Sequence, residues 1–193
     1  MKIGIMGGTF DPVHLGHKEM ARFCLEEFKL DKIMFLPLGD APHKDKVSSK
    51  EVRYEMLQVA LKGQDDFFVS RIELDRIGKT YTFDTLNYLK ENTSDEYYFI
   101  IGGDTVNTLH KWYRADDVLK MVEFIVVLRE NVDIKESIIE LQRRGGKFKL
   151  TNHTGLEISS TEVKRRVKNN ENIDNLVDES VRKIIENNGL YKN

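Results

Sequence analysis

The sequence contains very little cysteine or proline and has no long apolar run. Of its 193 residues, one is cysteine and three are proline. Because a single cysteine cannot form an internal disulfide, the composition is typical of a reducing compartment, and we expect a cytoplasmic location. The apolar run within residues 1–8 is too short for a secretory signal, and no stretch approaches the roughly 20 apolar residues of a membrane helix. We therefore expect no membrane partner.

An excess of one sign of charge is also missing. The 30 basic and 32 acidic residues leave a formal net charge of −2. A surface that coats nucleic acid usually has a clear basic excess, so we expect no nucleic-acid partner, although a local phosphate site is compatible with this balance. Hydrophobic residues make up 40% of the chain, which is enough to bury a core and excludes a disordered protein. The length predicts a single domain over residues 1–193.

Short apolar runs alternate with helical patterns along most of the chain. The patterns predict strands at 2–6, 32–36, 67–72, 97–101, 124–128 and 148–150, and helices at 15–28, 51–61, 82–89, 116–121, 134–143, 160–167 and 178–187. Apolar runs without polar alternation are typical of a parallel sheet that is buried on both faces. The sequence therefore predicts an α/β fold, with a Rossmann-like, doubly wound, mainly parallel sheet and a helical C-terminal end at about 158–193. Such sheets bind ligands at the carboxyl ends of their strands.

The strongest local signal is the sequence GGTFDPVHLGH at residues 7–17, between the first predicted strand and the first helix. Glycines let the backbone approach a ligand closely, and the N–H groups at a helix start attract phosphate. His14 and His17 are three residues apart, which can direct both rings to one phosphate group and stabilise charge on its oxygens. Gly16 is expected to leave space for the ligand.

Other interpretations of this segment are less consistent with the sequence. A glycine pair alone is an ordinary strand-to-helix turn, and the segment is not the G-x-G-x-x-G fingerprint of dinucleotide-binding folds. The two histidines could lie on the surface. They could also bind a metal, but the usual helical zinc motif has histidines four residues apart and an adjacent glutamate, which are absent here. The combined features favour a phosphate site, and we predict no protein-bound metal.

The segment resembles the signature of the H-x-G-H nucleotidyltransferases, and it is similar in particular to that of the bacterial nicotinate-nucleotide adenylyltransferases. Other family motifs are matched along essentially the whole chain, at 42–44 (PHK), 53–57 (RYEML), 80–86 (TYTFDTL), 101–104 (IGGD) with Trp112 after it, 158–164 (ISSTEVK) and 189–191 (GLY). Two positions depart from the pattern. Ala41 replaces a proline, and Lys164 replaces the usual arginine, which keeps the charge but lacks the planar fork that grips phosphate at two points.

The resemblance implies an enzyme of NAD biosynthesis that transfers the adenylyl group of ATP to nicotinate mononucleotide. The products would be nicotinate adenine dinucleotide and pyrophosphate. The nucleophile is then a phosphate of the substrate, so the protein mainly positions groups and stabilises charge. No cluster of acidic residues suggests a metal cage, and we expect Mg²⁺ to arrive with ATP, held mostly by phosphates and water. The sequence leaves homo-oligomer formation open.

The same resemblance assigns the site residues. His14 and His17 are the predicted catalytic residues. The predicted ATP site consists of Gly7, Gly8, Thr9, Phe10, Gly102, Asp104, Ile158, Ser159, Ser160, Thr161 and Lys164, and the predicted mononucleotide site of Lys44, Tyr81, Thr82, Thr85, Trp112 and Arg129. Within the second set, Trp112 would stack on the pyridine ring, Lys44 would meet the phosphate, and backbone N–H groups near Thr85 would receive the carboxylate.

Simpler roles stay open for several of these residues. Residues 159–161 could form only a helix N-cap, Asp104 could also be a cap, and a lone tryptophan is more often part of a core. Lys44 could be a solvated loop charge. Cys24, on the first predicted helix, is interpreted as part of the core.

Three competing functions were compared with the adenylyltransferase prediction. An adenylyltransferase for pantetheine phosphate has a shorter chain and a less similar motif. A class I aminoacyl-tRNA synthetase would need an anticodon domain and a K-M-S-K-S-like segment, and this sequence has neither. A catalytically silent nucleotide sensor is disfavoured because both histidines of the motif are present.

Overall fold

The structure is a computed structural model that describes residues 1–39, 47–128, 132–154 and 156–192. Its strands are β1 (Lys2–Gly8), β2 (Lys32–Pro37), β3 (Phe67–Val69), β4 (Glu96–Gly102), β5 (Glu123–Leu128) and β6 (Lys147–Thr154). Its helices are α1 (Leu15–Glu27), α2 (Lys50–Ala60), α3 (Thr82–Asn92), α4 (Gly103–Val106), α5 (Ala115–Met121), α6 (Lys135–Arg143), α7 (Ser160–Lys168) and α8 (Glu179–Asn187), with a short 3-10 helix at Leu109–Lys111.

The strands form one sheet in the order β3-β2-β1-β4-β5-β6, and all neighbouring strands are parallel. The strand order reverses between β1 and β4. Chain connections that leave these two strands diverge to opposite sides, so a crevice opens at their carboxyl ends. The predicted doubly wound α/β fold is confirmed, and the sheet is parallel throughout the described strands.

Two apolar layers hold the helices on the faces of the sheet. One layer joins β1 and β2 to α1, α2, α7 and α8, and buries Phe35, Leu57 and Val163. The other joins β4 and β5 to α3, α5 and α6, and buries Phe99 and Phe124. Residues of α7 and α8 therefore share a core with the strands. The single domain over residues 1–193 stays a prediction.

Several element boundaries differ from the sequence prediction. β3 ends at Val69 rather than at residue 72, because the chain turns there: the Asp75 N–H donates to the Arg71 carbonyl at 2.9 Å. β6 is longer than the predicted 148–150, because as the last strand of the sheet it tolerates polar residues such as Lys147, which is exposed at its start. Between β4 and α5, the chain forms two short helical segments that the pattern did not separate.

Two further expectations concern Cys24 and the membrane. Cys24 is fully buried in the first apolar layer, so its interpretation as part of the core is confirmed. Burial, with the nearby charge of Glu27, raises the pKa of its thiol to about 12.

Among the described residues, no helix is both long enough and apolar enough to cross a bilayer.

Candidate active site

A cavity of about 310 Å³ lies in the crevice between the carboxyl ends of β1 and β4. We call it the central cavity. Its lining comes from the ends of both strands, from α1 and α3, and from the segment before α5, and it includes Gly7, Gly8, Thr9, His17, Glu73, Thr82, Gly102, Asp104 and Trp112. The topology of the sheet thus brings together residues that the sequence analysis assigned to both predicted sites.

A second cavity of about 190 Å³ adjoins the first on the side of α7. We call it the lateral cavity. It is lined by Thr9, Phe10, Asp11, His17, Val47, Ser160, Thr161 and Lys164. Because Thr9 and His17 line both cavities, the site consists of two compartments that meet at these two residues.

The backbone of the α1 N-terminus holds His17 in one orientation. The His14 N–H donates to His17 Nδ1 at 3.2 Å, so this nitrogen acts as an acceptor. This hydrogen bond assigns the proton of a neutral His17 ring to Nε2, which can then donate to a ligand. The edge of Phe10 packs against His17 with ring centroids 5.0 Å apart. His17 is therefore a positioned donor at the junction of the two cavities.

His14 lies behind His17 rather than in either cavity. Its side chain is 6% exposed, and its ring stacks on that of His17 with centroids 3.6 Å apart. A Cβ at Gly16 would lie 3.2 Å from His14 Nδ1 and 3.4 Å from Ile158 Cβ. Gly16 therefore leaves room for these two side chains. Its expected role of leaving room for the ligand stays a prediction.

The start of α7 supplies one wall of the lateral cavity. Ser159 is the N-cap of this helix, because its Oγ accepts the Glu162 N–H at 3.1 Å. The Ser160 hydroxyl donates to the Pro12 carbonyl at 2.9 Å. Ile158 packs against the apolar core, while Thr161 lines the cavity. The capping role considered for this segment is confirmed for Ser159.

Asp11 and Lys164 form an ion pair at the edge of the lateral cavity. The Lys164 ammonium contacts Asp11 Oδ2, and Asp11 is 3% exposed. Burial opposes ionisation of Asp11, but hydrogen bonds from Lys164, Tyr191 and Ser48 outweigh it and keep the pKa of the carboxyl below its ordinary value. Asp11 therefore remains an anion, and the Lys164 cation is held beside the cavity.

Arg53 ties the loops around the site together, although it is 2% exposed. Its guanidinium donates to the carbonyls of Thr9 (2.9 Å), Leu38 (2.7 Å), Gly39 (3.0 Å) and Ser48 (3.1 Å). These carbonyls belong to the segments after β1 and β2 and to the segment just before α2. Arg53 stands in the motif at 53–57, but the sequence predicts no role for it, because a single sequence does not show that an arginine is buried.

The predicted pyridine-binding residues are only partly brought together. Trp112 lines the central cavity and meets Phe99 edge-on, with ring centroids 5.8 Å apart. Thr82 lines the same cavity from the first turn of α3. Tyr81 does not line it, and its ring packs 4.5 Å from that of Tyr113. The aromatic pair lies nearby and is largely exposed to solvent.

Thr85 lies behind the central cavity, in contrast to its predicted place. Its backbone N–H donates to the Tyr81 carbonyl at 3.2 Å, so it is not directed at a ligand. The side chain is fully buried, and its hydroxyl donates to Glu73 Oε1 at 2.8 Å. The N–H groups at the start of a helix lack an intrahelical partner, so the available donors of α3 are those of Thr82 and Phe83.

Glu73 is a cavity residue that the sequence analysis missed. It is 5% exposed and lines the central cavity. Burial raises the pKa of its carboxyl above the ordinary value, although the hydrogen bond from Thr85 and the charge of Arg76 act in the opposite direction. The turn at 71–75 that buries it follows β3, where the pattern predicted a continuing strand.

Two predicted residues, Lys44 and Arg129, lie outside the described residues. Asp104 lies in the first turn of α4 and borders the central cavity, two residues after Gly102 at the end of β4. Within the described part of the chain, no group of three or more histidine, cysteine or acidic side chains is arranged to hold a metal ion.

Comparison with known proteins defines the class. Residues 5–166 match the Cytidylyltransferase-like family. The chain is 38% identical to a protein of Clostridium botulinum (strain Alaska E43 / Type E3) over 99% of this chain and 98% of that protein. It is 41% identical to a protein of Thermoanaerobacter sp. (strain X514) over 100% of this chain and 95% of that protein. Both relatives are named "probable nicotinate-nucleotide adenylyltransferase".

The fold is also similar to that of solved structures. Plasmodium falciparum nicotinic acid mononucleotide adenylyltransferase, complexed with NaAD, aligns with a TM-score of 0.83 and 20% identity, over 98% of this chain and 97% of that chain. The protein is thus a cytidylyltransferase-like nucleotidyltransferase. Within that class, the chain belongs to the nicotinate-nucleotide adenylyltransferase family.

Replacing Arg53 with methionine should destabilise the protein strongly. Methionine has a similar length but no donors, so several buried carbonyls lose their partner, each at about 1–3 kcal/mol. We expect the free energy of unfolding to fall by at least about 3 kcal/mol in urea denaturation. Arg144→Met is the matched control: Arg144 pairs with Asp116 on the surface, where such a pair contributes at most about 1 kcal/mol. Equal losses in the two variants would contradict the role of Arg53.

Proposed function

We infer that the protein transfers the adenylyl group of ATP to nicotinate mononucleotide in NAD biosynthesis. A phosphate oxygen of the mononucleotide attacks the α-phosphorus of ATP, and a new P–O bond forms. The bond to the bridging oxygen breaks, and pyrophosphate leaves with the electron pair. The observation that carries this inference is the pair of adjoining cavities that meet at Thr9 and His17.

We propose that the ATP phosphates extend from the junction into the lateral cavity. There His17 Nε2–H can donate to the phosphoryl oxygen on which charge develops, while His14 supports the ring from behind. Thr161 and the N–H groups at the start of α7 provide further donors, and Lys164 adds a positive charge. The backbone of Gly7 and Gly8 borders the bound nucleotide, and Asp104 can accept hydrogen bonds from ribose hydroxyls.

We place the pyridine ring of the mononucleotide against Trp112 in the central cavity. Its carboxylate would accept hydrogen bonds from the N–H groups of Thr82 and Phe83, at the positive end of α3. Lys44 and Arg129 stay candidates for the phosphate of this substrate.

The remaining proposals concern Mg²⁺ and the setting of the enzyme. Mg²⁺ enters with the ATP phosphates as part of the substrate, since this ion keeps several waters and binds phosphates well. A cytoplasmic location fits the single reduced and buried cysteine. We keep a homo-oligomer as a hypothesis.

The direct test supplies purified protein with ATP, Mg²⁺ and either nicotinate or nicotinamide mononucleotide, and measures pyrophosphate release. Backbone N–H groups form charge-assisted bonds with a carboxylate, whereas a buried amide leaves an NH₂ group unpaired at about 1–3 kcal/mol. We expect kcat/KM to be at least about 10-fold higher for the acid. Equal values would mean that Glu73 accepts the amide NH₂. Absence of pyrophosphate release with both substrates would overturn the function.

Replacing His17 with alanine should reduce kcat by a factor of ~10²–10³, the usual cost of losing one donor to a phosphoryl or acyl oxyanion. The fold should be retained, because His17 faces two cavities rather than the core. His110→Ala is the control, since this histidine is exposed on the 3-10 helix. Wild-type turnover by a folded His17→Ala protein would contradict the assignment.

Replacing Trp112 with alanine should weaken mononucleotide binding much more than ATP binding. Aromatic stacking on a base contributes ~1–3 kcal/mol, so we expect a loss of between roughly five-fold and a hundred-fold. Calorimetric titration measures both affinities in the wild type and in each variant. In the wild type, mononucleotide binding should also change the fluorescence of Trp112, the single tryptophan of the chain. Trp112→Phe should keep most of the affinity. Unchanged mononucleotide affinity in Trp112→Ala would leave the residue with only its packing against Phe99.

A further inference from the structure

We propose that Tyr191 is a positioning residue for ATP, whose hydroxyl acts through Asp11 to fix the Lys164 ammonium beside the lateral cavity. The proposal rests on the proposed function, because it takes the ATP phosphates to enter this cavity. Tyr191 lines neither cavity, so it would act on the nucleotide only through its partners. It lies 180 residues from Asp11 in the sequence, which hides the connection from any local motif.

The two carboxylate oxygens of Asp11 accept hydrogen bonds from different partners. Oδ1 accepts the Tyr191 hydroxyl at 2.7 Å and the Ser48 N–H at 3.3 Å, whereas Oδ2 pairs with the Lys164 ammonium. The bonds to Oδ1 fix the plane of the carboxylate. As a consequence, they also fix the direction in which Oδ2 holds the lysine.

Lys164 needs such a partner more than an arginine would. Its ammonium is a point charge on a flexible four-carbon stem, without the rigid fork of a guanidinium. Asp11 holds the ammonium on one side, and the Tyr191 ring lies 5.0 Å away on another. An ammonium has three N–H donors, so a bond to Asp11 leaves donors for a phosphate oxygen. The side chain keeps 32% of its surface exposed and can meet a ligand.

Tyr191 itself is held firmly by its surroundings. The Leu190 N–H donates to the Ile185 carbonyl at 3.0 Å, and both Leu190 and Tyr191 pack against the first apolar layer. The Ser48 hydroxyl donates to the Tyr191 oxygen at 3.3 Å, which leaves the Tyr191 proton for Asp11. Burial raises the pKa of Tyr191 well above its usual range, and the Asp11 charge acts in the same direction, so the hydroxyl stays a donor.

The test is a double-mutant cycle on Mg-ATP affinity, measured by calorimetry below the melting temperature of each variant. Tyr191→Phe keeps the ring and removes the hydroxyl, and we expect the Kd for Mg-ATP to rise on the order of ten-fold. The Kd for nicotinate mononucleotide should stay unchanged. Lys164→Met should also weaken Mg-ATP binding, and adding Tyr191→Phe to it should have little further effect, because coupled residues are not additive. Tyr88→Phe, on the exposed side of α3, is the matched control.

Three results would overturn the proposal. An unchanged Mg-ATP Kd in Tyr191→Phe, or in Lys164→Met, would show that the replaced group does not contribute to ATP binding. Full additivity in the double variant would show that Tyr191 acts independently of Lys164. Equal weakening of both substrates would indicate a general structural role. Because the cycle measures binding alone, it stands even if the wild-type protein forms no dinucleotide, and that separate failure would overturn only the proposed reaction.

Discussion

The hydrogen bonds of one buried guanidinium set the shape of the site. Arg53 reaches from α2 to the carbonyls of Thr9 and Gly39, and so joins the segments that follow β1 and β2. Without Arg53, these carbonyls would need water as their hydrogen-bond donor, and the loops would move apart. A Cβ at Gly39 would lie 2.3 Å from the Glu73 carbonyl, so this segment also packs closely on the turn after β3. The central cavity exists because these segments are held side by side.

The groups that would meet substrate are few, and each is held by a second residue. His17 is oriented by the His14 N–H and by Phe10, and Lys164 by Asp11. A reaction whose nucleophile comes from the substrate needs donors at fixed places more than it needs a reactive side chain. The structure is organised in that way, with polar side chains aimed at two cavities and their supports buried behind them.

The chain encodes the fold and its functional family in local patterns. Apolar runs without alternation predicted the parallel sheet, and the motif at 7–17 predicted a phosphate site at the end of the first strand. The doubly wound sheet and the family are both confirmed. The predicted ends of β3 and β6 were wrong. A turn ends β3 early, and the edge position of β6 allows polar residues to extend that strand. The resemblance placed Thr85 in the pocket, but a sequence motif does not show that its N–H is already bonded to the Tyr81 carbonyl.

The sequence by itself determined the order of strands and helices, the glycine-rich turn and the histidine pair, since all of these depend on neighbours a few residues apart. Only the tertiary structure decided which polar side chains are buried and which distant residues meet. Arg53 is surrounded by carbonyls from three segments, and Tyr191 reaches Asp11 across 180 residues. The physical reason is that burial and long-range hydrogen bonds arise when the sheet brings separate loops to one edge, and no local pattern carries that information.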